Sequence, residues 1–150
     1  MKAVIQRVSR ASVRVEKDIT GEIDQGLLIL LGIGNEDAKE EIEWLSKKII
    51  NLRIFNDASG IMNKSLIDVN GDAIIVSQFT LMANTKKGNR PSYIRAAKAD
   101  KAIPVYEQFI SEFESQFGKK VGTGIFGADM KIDLINDGPV TIIIDTDNKQ

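Results

Sequence analysis

The 150-residue chain contains no cysteine and no histidine. The first absence excludes disulfides, thiolate zinc sites, iron–sulfur clusters and cysteine nucleophiles. The second removes the commonest general base and the commonest transition-metal ligand. A hydrolase built on this sequence must therefore work without a Ser-His-Asp or Cys-His unit. Long apolar runs are missing as well. The longest, Leu27 to Ile33, falls far short of the ~20 residues of a membrane helix. Met1-Lys2 leads straight into Ala3–Val8, without the apolar core and small-residue cleavage site of a signal peptide. The expectation is a soluble, cytoplasmic protein with no membrane partner.

What is present is ordinary globular stock, 43% hydrophobic and 27% charged, with a net charge of −1. A chain of this length buries roughly 70% of the surface that its unfolded form exposes, enough for a real core. Charge is unevenly spread. Residues 1–15 carry Lys2, Arg7, Arg10 and Arg14 and no acid; residues 73–99 carry Lys86, Lys87, Arg90, Arg95 and Lys98 and again no acid. A near-neutral protein with one basic face can hold a phosphate backbone by counterion release. Solvated faces that happen to segregate explain the pattern equally well.

Short β-rich runs dominate: 3–8, 11–15, 20–23 and 27–31. An amphipathic helix is expected from Glu36 to Asn51, with Asn35 as its N-cap and Ala38, Ile42, Leu45 and Ile49 on one face. Strands are expected at 53–55 and 73–79, a second helix at 102–117, and closing strands at 131–136 and 140–145 around Asp137-Gly138-Pro139. Two main helices among about eight strands predict an α+β fold with a curled or barrel-like sheet, in one domain over residues 1–150.

Phosphate and metal motifs mostly fail. Gly122-Thr123-Gly124-Ile125-Phe126-Gly127 fits G-x-G-x-x-G but leads into a strand, with too few residues left for a βαβ unit. Gly32-Ile33-Gly34 lies between a strand and a helix, yet lacks the third glycine and is followed by Glu36 and Asp37, which would repel a pyrophosphate. With oxygen ligands alone, Asp145-Thr146-Asp147 is the densest acidic group off a helix, and a solvated tail explains it. No metal site and no cofactor are predicted.

Hydroxyl chemistry remains. The apolar strand 73–76 ends in Ser77-Gln78-Phe79-Thr80, where strand ends meet pockets. Period-2 geometry sets Ser77 and Phe79 on one face, Gln78 and Thr80 on the other. A polar strand end that satisfies its own backbone is the alternative.

Six segments in order carry a resemblance: Ala3–Val13, Asn51–Phe55 with Met62-Asn63, Val76–Leu81, Gly88-Asn89-Arg90-Pro91-Ser92-Tyr93, Phe126–Met130 and Asn136-Asp137-Gly138-Pro139-Val140-Thr141. The sequence resembles the D-aminoacyl-tRNA deacylase family from end to end. Val76–Leu81 is similar to its S-Q-x-T motif, and 136–141 matches its N-x-G-P-[VI]-T motif. Tyr93, where Phe is common, is the one departure, a conservative one.

The resemblance implies a homodimer with active sites at the interface. It implies hydrolysis of the ester joining a D-amino acid, or glycine mischarged on alanine tRNA, to the 3′ end of tRNA, a chiral proofreading step in translation. It assigns the catalytic motif to Ser77, Gln78, Phe79 and Thr80. Gly138 and Pro139 would form a cis peptide that reaches into the partner's pocket and excludes L-amino acids. Lys86, Lys87, Arg90, Pro91, Ser92, Tyr93, Met130, Asn136 and Thr141 would contact substrate or tRNA. On residue types alone, Asp-Gly-Pro between two strands is also hairpin chemistry.

The chemistry leaves two routes open. Water can attack in an oxyanion hole of backbone N–H groups around Phe79 and Thr80, helped by the ribose 2′-hydroxyl, with Gln78 as polar support. A Thr80 acyl-enzyme is the second route, weakened by the lack of an adjacent base. A non-enzymatic tRNA- or DNA-binding module is the contrasting class.

Overall fold

The computed structural model describes residues 1–149. Its first element, β1 (Lys2–Val15), runs unbroken through Ser9-Arg10, where the pattern suggested two strands. The reason is pairing on either side of Ser9. β2 (Asp18–Ile23) covers its second half, β3 (Gly26–Gly32) its first half, and β8 (Met130–Asp145) runs antiparallel along both. Arg10 pairs with Ile135 of β8 just past the register shift at Ser9, so the strand continues through the polar dipeptide.

After β3 the chain forms α1 (Lys39–Asn51), the short pair β4 (Phe55–Asn56) and β5 (Met62–Lys64), and β6 (Asp72–Ser77). A 3-10 helix (Phe79–Met82), α2 (Ala99–Phe117) and β7 (Gly122–Thr123) then lead into β8. β6 lies parallel to both β3 and β7. β2 curls back toward β7 so closely that a Cβ on Gly21 would meet the Thr123 backbone nitrogen at 3.1 Å. The mixed sheet is thus a nearly closed barrel with two helices on one side, as the sequence predicted.

The apolar run in β3 reflects burial on both faces. Leu27, Ile29 and Leu31 pack toward the helices with Leu45, Ile49, Phe109 and Phe113, whereas Leu28 turns into the barrel with Val8, Val13, Ile74 and Val76. No helix among the described residues is long and apolar enough to cross a membrane.

Helix starts differ from expectation. α1 begins at Lys39 because Asp37 is drawn elsewhere: its carboxylate takes the Met1 amine at 2.5 Å and the Gly34 N–H at 2.6 Å. Asn35 is not the cap; its amide donates to Ile94 O at 3.1 Å. Glu41 reaches back to the Ala38 N–H at 2.9 Å, and that bond holds its pKa below the usual range. α2 starts three residues before the expected Ala102, with the Lys98 carbonyl accepting from Lys101 and Ala102.

The largest correction concerns 131–145. The two expected strands are one, β8, and both halves run antiparallel to β1, so the chain does not reverse at Asp137-Gly138-Pro139. Instead Gln6 pairs with Thr141 and Val8 with Asn136, leaving four residues of β8 opposite Arg7 alone. The segment bulges out of the ladder rather than forming a hairpin.

Candidate active site

β6 ends at Ser77, level with Leu31 of β3, and the Gln78 N–H makes a last bond to Leu31 O at 2.8 Å. The chain then tightens into the 3-10 helix, with Leu81 N donating to Gln78 O and Ala83 N to Thr80 O. Period-2 alternation therefore stops at Ser77, and the predicted two-face arrangement of 77–80 does not extend past it. What brings Gln78 and Thr80 together is a hydrogen bond: Gln78 Nε2 donates to Thr80 Oγ1 at 2.5 Å. Opening a 3-10 helix leaves its first N–H groups without intrahelical acceptors. Those of Phe79 and Thr80 have no backbone partner among the described residues.

Gly32 makes this seat possible. A Cβ there would lie 2.9 Å from Leu81 Cβ and 3.1 Å from Gln78 O. The Gly32-Ile33-Gly34 stretch thus serves the close approach of the 3-10 helix to the end of β3, a packing reason that a phosphate-motif search does not see.

A cavity of about 250 Å³ opens beside the motif. Val76, Ser77, Gln78 and Phe79 form one wall; Phe126, Gly127, Ala128, Asp129, Met130 and Ile132 form the other. Met130 is thereby brought to the motif. Tyr106 braces both walls from behind: its hydroxyl donates to Ile75 O at 2.7 Å and its ring lies 5.9 Å from that of Phe126. Burial pushes the Tyr106 phenol up to about 12.

The basic loop is anchored at the same place. Asn84 and Ser92 exchange backbone hydrogen bonds of 2.8 and 3.0 Å, closing a loop on which Lys86, Lys87, Arg90 and Pro91 are exposed. Tyr93 stacks edge-on against Phe79 with ring centroids 5.0 Å apart, both rings facing solvent.

The remaining predicted residues sit elsewhere. Gly138 and Pro139 belong to the bulge of β8, and Asn136 and Thr141 are the paired residues that flank it. Gly138 has φ +140°, and a Cβ on it would meet Val140 Cγ2 at 2.7 Å and Arg7 Nη2 at 3.1 Å, so this position requires glycine. The Gly138–Pro139 peptide is cis. Arg7, buried among the strands, donates from Nε to Asp137 O at 2.9 Å and from Nη1 to Ile54 O at 2.8 Å. Its carrying role was not legible in the sequence, where it is one of four cations in an acid-free stretch.

Ladder register separates the two groups. Asn136 is level with Val8, Val8 with Gly26, and Gly26 with Asp72, the first residue of β6. Ser77 is five residues further along β6, about 16 Å at ~3.3 Å per residue. None of residues 136–141 is among those lining the cavity of the same chain.

The D-Tyr-tRNA(Tyr) deacylase family model matches residues 4–145. The chain belongs to this family. It is therefore an enzyme, in a family of hydrolases acting on the ester bond of aminoacyl-tRNA. It is 63% identical over 150 residues to the D-aminoacyl-tRNA deacylase of Flavobacterium psychrophilum and 64% to that of Christiangramia forsetii, in each case covering 100% of both chains. Among solved structures, one titled c-Myc DNA Unwinding Element Binding Protein superposes with a TM-score of 0.93 at 40% identity, covering 97% of this chain and 99% of that one. A second, titled a probable eukaryotic D-amino acid tRNA deacylase, gives 0.82 at 15% identity over 95% and 97% of the two chains, a likeness of fold.

Proposed function

We propose that this protein, a single catalytic domain over residues 1–150, acts as a homodimer. It hydrolyses the ester between a D-amino acid and the 3′-terminal adenosine of tRNA, in the cytoplasm where tRNA is charged. One observation carries the chemistry: the backbone N–H groups of Phe79, which lines the cavity, and of Thr80, next along the chain, have no backbone partner among the described residues, in a chain without His or Cys. An aminoacyl ester is already activated, so positioning water and stabilising the oxyanion suffice. Water attacks, the substrate's 2′-hydroxyl assists, and the two N–H groups receive the developing charge. A Thr80 acyl-enzyme ranks second. Thr80 Oγ1 already accepts the Gln78 amide hydrogen, and no carboxylate or amine among the described residues hydrogen-bonds to it. Met130 borders the cavity that receives the terminal nucleotide. Lys86, Lys87 and Arg90 hold the tRNA backbone, with Pro91, Ser92 and Tyr93 shaping the loop over the substrate.

Dimerisation is supported by the separation of the two motif groups. The partner's bulge supplies Gly138–Pro139 to this cavity, with Asn136 and Thr141 at its base. Suppose the pocket fixes the α-amino group and ester carbonyl. D and L side chains then point opposite ways, and backbone carbonyls of the bulge leave room for hydrogen but not for methyl. Exclusion of this kind admits glycine. The test compares D-alanyl-, glycyl- and L-alanyl-tRNA of matched sequence, with purified protein. The first two should be cleaved and the third spared; survival of glycyl-tRNA would sink exclusion, because selection by binding the D side chain also spares glycine.

A second reading, a nucleic-acid-binding module without catalysis, draws on the acid-free basic stretch 73–99 and on the name of the 40% identical relative. A pure binder would retard D-tyrosyl-tRNA and leave its ester to decay at the spontaneous rate.

A further inference from the structure

The bulge of β8 has a neck, and one side chain spans it. Asn136 Nδ2 donates to Val140 O at 2.9 Å, on the far limb of the bulge, and to Arg7 O at 3.1 Å, on the facing strand. Both hydrogens of its NH2 group are thereby used within the chain, and the residue is half-buried. We infer that Asn136 is a positioning residue for chiral selection: it touches no substrate but fixes the height at which the bulge presents Gly138–Pro139.

Side-chain chemistry at this position is demanding. Asp has the same shape and donates nothing when ionised; Ser can donate once; Ala cannot donate. Only an amide of this length closes both contacts at once. Arg7 supports the tip through Asp137 O, but it does not join the two limbs. Without the Asn136 amide, the Val140 carbonyl loses its tie across the neck and the Arg7 carbonyl loses its side-chain donor, leaving the Val8–Asn136 ladder pairing and the Arg7–Asp137 bond to hold the junction. The bulge can then move as a flap about its ends. A wall that rejects a methyl group by contact tolerates little displacement, since shifts near 1 Å change reaction rates by orders of magnitude.

The inference rests on the proposal that the bulge filters chirality in the partner's pocket, and the experiment separates the two. Wild-type protein is assayed first on D-alanyl- and L-alanyl-tRNA. Failure to discriminate between them defeats the filter itself, before any variant is made. Given discrimination, Asn136→Ala and Asn136→Ser are compared with Ile49→Val, a core control that lowers stability far from the bulge. The expected result is graded. The ratio of D to L hydrolysis falls by about tenfold or more in Asn136→Ala and less in Asn136→Ser, through faster cleavage of the L ester. Ile49→Val leaves the ratio unchanged. A merely structural Asn136 would slow both substrates in parallel, as the control does, and an unchanged ratio in folded Asn136→Ala overturns the proposal.

A wild-type measurement keeps the test decisive should the variants not fold. In the amide NMR spectrum, the two Asn136 side-chain hydrogens should be protected from exchange. They should hold their shifts when an amide-linked D-alanyl-adenosine is added. Rapid exchange, or a shift showing direct contact with the ligand, overturns the positioning role.

Discussion

The Gln78 side-chain amide donates to the Thr80 hydroxyl across 2.5 Å. The bond fills a lone pair of the oxygen that a covalent mechanism would need as its nucleophile. With no base among the described residues hydrogen-bonded to its hydroxyl, Thr80 is better suited to supporting the site than to attacking. Thr80→Ala is expected to keep much of its activity, losing well under the ~10²–10³ that removal of an oxyanion donor typically costs. Single-turnover deacylation measures this. An acyl adduct trapped on Thr80, or abolished turnover, would reverse the ranking.

Gly32→Ala tests the seat of the 3-10 helix. The added methyl would press on Leu81 Cβ and Gln78 O, so the segment carrying the Phe79 and Thr80 N–H groups must shift. Deacylation should fall by at least about tenfold, with circular dichroism showing the fold retained. Unaltered activity would mean that the helix position is not critical.

Lys86 and Lys87 lie exposed on the loop closed by Asn84 and Ser92. Reversing both charges to Glu should weaken tRNA affinity and flatten its dependence on salt, by about one unit of slope for each phosphate that is no longer neutralised. An unchanged slope would place the loop away from the tRNA.

Tyr106 gives an alkaline signature. Its phenol is raised to about 12 by burial, against ~10 in the unfolded chain. Its stabilising contribution is therefore complete below pH 10 and declines as pH rises toward 12, by about 1.4 kcal/mol per pH unit. Tyr106→Phe should remove this slope from urea-unfolding curves, along with a phenolate absorbance step near pH 12. A slope that survives the substitution would assign it to another group.

Much of the architecture was legible because burial leaves a periodic trace. Leu27–Leu31 and Ala73–Val76 are apolar throughout because both faces of β3 and β6 are covered, and Ile42, Leu45 and Ile49 mark the inner face of α1. What was illegible depends on contacts between residues far apart in sequence. Asp37 leaves α1 for the Met1 amine; Asn136 bonds across to Arg7 O; Gly32 yields space to Leu81. The alternation argument failed past Ser77 for a similar reason, since the strand ends where its neighbour β3 does. Gly138-Pro139 looked like turn chemistry, yet β1 keeps β8 running straight on either side of it.

The separation of the cavity from the bulge has a genetic consequence. In the proposed pair, each pocket takes its floor from one copy and its filter from the other. Variants damaged at opposite ends, Gly32→Ala in one and a disrupted bulge in the other, should therefore complement when co-expressed. Random pairing makes about half of the dimers mixed, and a two-fold pair has two such pockets. In a mixed dimer one pocket inherits both lesions and the other inherits neither. Roughly a quarter of all pockets would then be whole, restored by partnership alone and without reversion of either sequence.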